Sequence, residues 1–185
     1  MIDATLREAD QKMAKAVEHA REDFATIRTG RAHPAMFANI TAEYYGQQTP
    51  LQQLAGFQVP EPRVVIISPY DINAKGAIEK AIRESDLGVN PSDDGKVLRV
   101  VLPELTEDRR REFIKLAKVK AEDGRVAVRN LRRSAKQALD RAEKDSEISQ
   151  DDTTGAEKRL DGLTRKHIDT IDEMLKHKEA ELLEV

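Results

Sequence analysis

The chain has 185 residues, of which 35% are charged and 39% are hydrophobic, with a formal net charge of −3. This length can bury a core as one domain or two small ones without a stabilising staple. The lack of cysteine excludes a disulfide framework and thiolate chemistry and suits a reducing compartment. The segment MIDATLREADQKM resembles neither a signal nor a transit peptide, and no apolar run is long enough to cross a bilayer. We therefore expect a cytoplasmic protein that does not bind a membrane.

Residues 2 to 29 have the apolar pattern of one long helix. Apolar side chains recur at alternating steps of four and three from Ile2 to Ile27, and Gly30 should stop the helix. One such stripe must pack on partners, so the segment predicts the first helix of a bundle.

The window from residue 31 to residue 104 has a different character. All seven prolines and five of the seven aromatic residues lie in it. The segments ITAEYY, LAGFQV, RVVIIS and GKVLRVVL read as short strands, and INAKGAIEKAIRESDLG reads as a helix that ends at Gly88. We predict a small α/β domain spliced between two helices of the bundle.

Two further long helices follow this window. One should begin near Thr106, a good N-cap, and its inward stripe is small: Phe113, Ala117, Ala121, Gly124, Val128, Leu131, Ala135, Ala138 and Ala142. The other should follow the polar break SEISQDDTTG, with Leu160, Leu163, Ile168, Ile171, Met174 or Leu175, and Leu182 facing inward. The predicted fold class is α+β: an elongated three-helix bundle of residues 1–30 and 105–185 with an inserted α/β domain of residues 31–104.

The most informative feature of the sequence is a basic stripe on the second long helix. From Arg109 to Lys136 there are eleven basic residues against three acidic ones. Seven of them recur at helical spacing on one face: Arg111, Lys115, Lys118, Arg125, Arg129, Arg132 and Lys136. A stripe of one sign is the footprint expected where a helix lies along phosphates.

A charged helix face is more often simply solvated, and such a face usually mixes acids and bases at four-residue spacing. Here Glu122 is the one acid in the stripe, while residues 140 to 185 hold fourteen acids and eight bases. We therefore expect the acidic excess to lie away from the stripe and leave it open for a nucleic acid.

Motifs for catalysis and nucleotide binding are missing from the sequence. It contains no G-x-x-x-x-G-K-[ST], G-x-G-x-x-G, G-x-S-x-G or H-E-x-x-H. The four histidines are scattered, and His167 lies near an inward stripe, where a packed histidine is far commoner than a ligand. We predict no enzyme, no metal site and no cofactor.

Seven ordered blocks carry a resemblance to a known family. They are IRTGRAHP, EYYG, TPLQQLA, SDLGVNP, LPELTEDRRRE, RVAVRNLRR and KEAELLEV, and they run from the first helix to the C-terminus without a large insertion. In these blocks the chain resembles bacterial ribosome recycling factor. The resemblance implies an L-shaped arrangement of a three-helix bundle and a hinged α/β domain whose outline is similar to that of transfer RNA.

What the resemblance implies is a monomeric, non-enzymatic translation factor. It would bind the post-termination ribosome and, with elongation factor G and GTP, dissociate the subunits to release mRNA and tRNA. The bundle would lie on large-subunit rRNA, with the hinge and second domain meeting elongation factor G. Combined with the basic stripe, it gives as candidate rRNA-binding residues Arg28, Arg31, Arg125, Arg129, Arg132, Arg133 and Lys136. The hinge would lie at Gly30, Arg31, Pro103, Glu104 and Leu105, and we assign no contact to His33.

The residues alone leave two other functions open. One is a helical tethering protein whose basic stripe meets an acidic protein partner. The other is a nucleic-acid enzyme that uses scattered carboxylates with a metal. Binding to ribosomes separates the first from recycling, and a metal-dependent nuclease assay addresses the second.

Overall fold

A computed structural model describes residues 1–184, which form two compact units. The first contains Met1–Phe24 and Lys115–Glu179, and the second contains Ala25–Ile114 together with the residues from Ala180 onward. The boundaries predicted from the sequence, after residues 30 and 104, both fall inside the second unit. The predicted division into 1–30 with 105–185 and 31–104 therefore stays a prediction.

The elements confirm the α+β class. In chain order the helices are α1 (Ile2–Ala25), α2 (Leu51–Leu54), α3 (Lys75–Arg83), α4 (Glu107–Lys144) and α5 (Gln150–Leu183). The strands are β1 (Thr41–Tyr44), β2 (Gln47–Pro50), β3 (Ala55–Glu61), β4 (Val64–Pro69), β5 (Ser92–Asp93) and β6 (Leu98–Val101).

Side-chain caps set where the two longest helices begin. The Thr106 hydroxyl accepts a hydrogen bond from the Arg109 amide at 3.2 Å, which confirms the predicted start of α4. The start of α5 was predicted too late, because Ser149 and Asp152 form a reciprocal capping box: the Asp152 amide donates to Ser149 Oγ at 3.0 Å and the Ser149 amide to Asp152 Oδ2 at 3.2 Å. The polar residues that looked like a break are the first turn of the helix.

Helix α1 ends earlier than predicted, at Ala25 instead of near Gly30. Thr26 and Ile27, which follow, are β-branched and favour an extended backbone. Ile27 is nevertheless only 3% exposed, so the apolar pattern continues into the chain beyond the helix. This is why the pattern alone overestimated the helix.

In the first unit, the three long helices meet at Gly124 of α4. A Cβ atom added there would lie 3.1 Å from Ile171 Cδ1 of α5 and 3.3 Å from Ala20 Cβ of α1. The small inward residues Ala117, Ala121 and Val128 are fully buried around this point. One inward position of α4 was predicted wrongly, because Leu139 is buried in place of Ala138, whereas His167 of α5 is buried as predicted. His167 Nε2 donates to Asp10 Oδ1 at 2.7 Å, as expected for a packed histidine.

The second unit is built on two antiparallel sheets. Strands β3, β4, β6 and β5 pair in that order, and β1 and β2 form a separate hairpin. A shared core of fully buried side chains joins the sheets to α2 and α3: Phe37, Leu51, Ile67, Ile78, Ile82, Leu98 and Leu102. Strand β2 was missed because its turn, Tyr45 and Gly46 with φ of 48° and 79°, carries tyrosine where asparagine or glycine is the usual signal.

A hydrogen bond between Tyr44 and Asp71 connects the hairpin to the turn after β4. The Tyr44 hydroxyl donates to Asp71 Oδ2 at 2.6 Å, and the Asn73 amide donates to Asp71 Oδ1 at 2.9 Å. The first contact, reinforced by the second, lowers the pKa of Asp71 from 3.8. The same contact raises the pKa of Tyr44 to about 12.

We predict that Gly124→Leu destabilises the protein by about 1 to 3 kcal/mol, although leucine has the better helix propensity, because its side chain overpacks the contact between three helices. The matched control is Gly162→Leu on α5, where an added Cβ meets no atom within 4 Å. It should gain about 0.5 to 1 kcal/mol from propensity alone. Urea denaturation followed by circular dichroism measures both. A stabilised Gly124→Leu variant would show that this face of α4 is open.

We also predict that Tyr44→Phe lowers stability in a pH-dependent way. A carboxyl whose folded pKa is depressed stabilises the fold above its unfolded pKa, and that contribution is lost as pH falls through the folded value. The deficit of Tyr44→Phe relative to wild type should thus be present at neutral pH and shrink below 3.8, the ordinary pKa of Asp71. Tyr70→Phe, which removes a hydroxyl from a ring that is 73% exposed, is the control. A deficit that does not change between neutral and acid pH would contradict the assignment.

Candidate nucleic-acid interface

The basic face consists of Arg125, Arg129, Arg132, Arg133 and Lys136, all on α4 in the first unit. The spacing of three and four residues places them on one side of the helix, as the sequence predicted. Arg125 and Arg132 each follow an inward position, Gly124 and Leu131, so they flank the packed surface. Their side chains are 20% and 31% exposed, against 50% for Arg129.

The expectation that acids lie away from this face is wrong. Arg125 Nε and Nη2 contact Asp172 Oδ1 at 2.7 and 2.6 Å, and Arg132 Nε and Nη2 contact Asp161 Oδ1 at 2.7 Å each. Both aspartates belong to α5, which packs against α4. The basic residues of α4 and the acidic residues of α5 are far apart in sequence, so their contact could not be predicted from it. They meet because α5 runs antiparallel to α4 and places its acids along the flank of that helix.

Three further carboxylates complete the pairing of the basic face. Glu122 contacts Arg125 at 3.1 Å and Arg129 at 3.0 Å. Asp140 lies 3.1 Å from Lys136 Nζ, and Glu157 lies 3.9 Å from both Lys136 and Arg132. Arg133 is different: it is exposed and makes no ion pair with any residue from 1 to 184.

These contacts shift the pKa of three groups on the face, Glu122, Lys136 and Arg125, in the direction that favours the charged form. Hydrogen bonds from Arg129 and Arg125 lower the pKa of Glu122. The hydrogen bond to Asp140, with the charges of Asp140 and Glu157, raises the pKa of Lys136. Burial lowers the pKa of Arg125, but its hydrogen bonds to Asp172 and Glu122 outweigh that effect and raise it. The face therefore presents oriented cations that are partly compensated, instead of an open strip of positive charge.

Sequence reasoning missed the aspartates of α5, although a signal was available. Asp161 follows the buried Leu160, and Asp172 follows the buried Ile171, just as Arg125 and Arg132 follow inward positions of α4. In antiparallel helices, residues that flank the packed stripe on the same side face one another, as the flanking positions of a coiled coil do.

Arg28 lies in the second unit, where its side chain is buried. Only 4% of its surface is exposed, and its guanidinium donates to the backbone carbonyls of Pro103 and, at 3.4 Å, of Leu87. Burial, with the nearby charge of Arg109, lowers its pKa. Arg28 therefore holds the chain that leaves α1 against two other segments, and its contact with rRNA stays a prediction.

The predicted hinge residues also lie in the second unit. Arg31 is exposed and contacts Glu184 at 3.1 Å, whereas Leu105 is only 8% exposed. Residues next to both predicted linkers bind one turn of the sheet: the Ala32 amide donates to Pro62 O at 2.6 Å and the Leu102 amide to Arg63 O at 2.7 Å. The chain beside each predicted linker is thus hydrogen-bonded to the turn between β3 and β4.

The comparison with known families decides what kind of protein this is. The family model described as ribosome recycling factor matches residues 20–183. The chain belongs to the ribosome recycling factor family. Factors from Nocardioides sp. (strain ATCC BAA-499 / JS614) and Thermobifida fusca (strain YX) are 68% and 64% identical to it over 185 residues, with full coverage of both chains.

Solved structures of the family agree with the fold. A solution structure of a ribosome recycling factor matches with a TM-score of 0.75 and 43% identity over 100% of this chain and 98% of the other. A second match, with a TM-score of 0.69 and 40% identity over the whole of both chains, is the T. thermophilus ribosome recycling factor, described with E. coli elongation factor G on the E. coli post-termination complex. Ribosome recycling factors are non-enzymatic translation factors, which confirms the prediction that this chain is not an enzyme.

Within residues 1–184, no group of three or more acidic or histidine side chains is placed to hold a metal ion. No helix in the same range combines the length and apolar character needed to span a membrane. His33 has a local role, because its Nδ1 accepts a hydrogen bond from the Ala35 amide at 3.0 Å and caps the short helical turn Pro34–Phe37.

We predict that substitutions of the two arginines in the IRTGRAHP block differ strongly in their effect on stability. Arg28→Met should destabilise the protein by about 2 to 4 kcal/mol, because it removes buried hydrogen bonds from a charged group and leaves carbonyls unpaired. Arg28→Lys should restore little of this, since an ammonium lacks the planar fork that reaches two carbonyls. Arg31→Ala, which breaks an exposed ion pair, should cost at most about 1 kcal/mol. Urea denaturation compares the stability of the three variants. An Arg28→Met variant as stable as wild type would show that the buried hydrogen bonds of Arg28 do not stabilise the fold.

Proposed function

We propose that this chain binds the post-termination ribosome and, with elongation factor G and GTP, dissociates the subunits and releases mRNA and tRNA. The observation that carries the proposal is the full-length match to the T. thermophilus factor described with elongation factor G on a post-termination complex. On this proposal the chain acts as a cytoplasmic monomer, and its partners are the ribosome and elongation factor G.

We propose the basic face of α4 as the part that contacts large-subunit rRNA. Arginine suits this role because its planar fork can grip two phosphate oxygens, whereas lysine acts as a point charge. Structured RNA is held mainly by shape and by phosphate contacts, which a rigid helix with regularly spaced guanidinium groups can match. Arg133, exposed and without an ion pair among residues 1–184, is the readiest contact; Arg129 and Arg132 are the next.

The second unit, with the segments at Gly30–Arg31 and Pro103–Leu105, is the part that we propose meets elongation factor G. The chain carries no phosphate-binding loop motif, so the energy for subunit separation comes from GTP hydrolysis by the partner. The factor itself makes and breaks no covalent bond, and it transmits force between the partner and the RNA.

The test of the overall proposal is subunit separation of purified post-termination ribosomes, followed by stopped-flow light scattering. Wild-type chain with elongation factor G and GTP should give a fast decrease in scattering. Omission of the chain, or replacement of GTP by a non-hydrolysable analogue, should abolish it. Separation that proceeds without elongation factor G would contradict the proposed division of work.

We predict that Arg132→Ala weakens ribosome binding by about 1.5 to 3 kcal/mol, or about 10- to 150-fold, the usual worth of hydrogen bonds to a charged group. Its thermal stability should change little, because the ion pair to Asp161 is solvent-accessible and Asp161 is 53% exposed. At saturating concentration the variant should separate subunits at a normal rate.

The matched control is Arg21→Ala on α1, which also removes one ion-paired arginine, the partner of Glu18 at 3.2 Å. It should bind ribosomes within about twofold of wild type. Wild-type affinity should fall steeply with salt, since each neutralised phosphate releases counterions. An affinity that does not depend on salt would favour a tethering protein bound to a protein partner.

A further inference from the structure

The aspartates of α5 hold two arginines of the basic face in one common geometry. In each pair a single carboxylate oxygen bridges Nε and Nη2 of the guanidinium, at 2.6 to 2.7 Å. Both pairs join α4 to α5, and both are partly exposed, with Asp161 and Asp172 at 53% and 47%. Because two separate ion pairs share this arrangement, we infer that the aspartates fix the orientation of the guanidinium groups as well as balancing their charge.

Pairing with a carboxylate does not prevent a guanidinium from binding phosphate. An arginine has five N–H donors, and the bridge to one aspartate oxygen uses two of them. Arg132 keeps both donors of Nη1, for which no partner occurs among residues 1–184, and one donor of Nη2. Arg125 also donates to Glu122 from Nη1 and keeps fewer donors. The free donors of Arg132 therefore point in a direction that Asp161 fixes.

The same carboxylates weaken attraction for RNA that does not fit the surface. Non-specific RNA binding depends almost entirely on local positive charge, because it gains its free energy from counterion release. A carboxylate beside each arginine reduces that charge. An RNA whose phosphates match the surface instead binds more tightly when the guanidinium groups are already oriented. The reason is that immobilising a long side chain on binding carries an entropic cost.

We propose that Asp161 and Asp172 are positioning residues that set RNA selectivity. They orient Arg132 and Arg125 for an RNA whose phosphates match the positions of the guanidinium groups, and they weaken binding to RNA whose phosphates do not. This inference rests on the proposed function, because it takes the basic face as the rRNA contact. Glu122 adds to the effect at Arg125, where its own carboxylate stays ionised through its contacts with two arginines.

The test is the double variant Asp161→Asn/Asp172→Asn in the full chain, with affinity measured for vacant ribosomes and for a poly-uridine oligonucleotide. Affinity for poly-uridine should rise and affinity for ribosomes should stay level or fall. Loss of orientation is worth about 2- to 10-fold for each arginine, so the ratio of ribosome to poly-uridine affinity should fall about 4- to 100-fold. Circular dichroism confirms the fold, and the single variant Asp161→Asn gives a smaller change in the same direction.

The matched control is Asp169→Asn/Glu173→Gln, which removes two charges from the same helix at exposed positions that make no ion pair within residues 1–184. Its two affinities should rise together, with an unchanged ratio. If the Asp161→Asn/Asp172→Asn ratio is also unchanged or rises, the aspartates only compensate charge and the inference is overturned.

Arg132→Ala, measured on the same ribosomes, separates this inference from the proposed function. If it weakens binding while the ratio in the aspartate variant stays constant, only the selectivity role is wrong. If Arg132→Ala leaves ribosome affinity unchanged, the basic face is not the rRNA contact, and the selectivity role falls with it.

Discussion

The close approach of three helices at Gly124 is the constraint on which the basic face depends. Because this position has no side chain, Ile171 of α5 and Ala20 of α1 can lie only 3.1 and 3.3 Å from where a Cβ atom would stand. The next residue on α4 is Arg125 and the next on α5 is Asp172, so the packing that brings Gly124 to Ile171 also brings this arginine to its carboxylate. The apolar contact at Gly124 and the ion pair beside it thus depend on the same interhelical distance.

Much of the fold could be predicted because it depends on local patterns. The stripe of α1, the Thr106 cap and the strands β1, β3, β4 and β6 follow from periodicity and turn chemistry that act within a few residues. The elements that were predicted wrongly or not at all also have local physical causes, which act within a few residues. A capping box at Ser149 converts polar residues into a helix start, and a tyrosine at φ 48° hides the turn that precedes β2. The α1 pattern continues past Ala25 because Ile27 packs without being helical.

The candidate site was less predictable, because its properties depend on contacts between residues far apart in sequence. The basic stripe of α4 could be recognised from spacing, but its pairing with Asp161 and Asp172 required knowing how α5 returns beside it. Arg28 and Arg31 share one block of sequence, yet one is buried against backbone carbonyls and the other is exposed. A motif identifies such residues as important without saying whether they serve the fold or the partner.

The short connection between α4 and α5 has a consequence for how the chain can vary in length. The five residues from Asp145 to Ser149 end in a capping box, so the start of α5 is fixed in sequence. One residue inserted between Ser149 and Leu160 would rotate every later position of α5 by about 100°. Asp161 and Asp172 would then leave the flank of α4 while Ile171 left the contact with Gly124. A residue inserted at the exposed turn of Tyr45 and Gly46 would instead alter only the β1–β2 hairpin and leave the register of α5 unchanged.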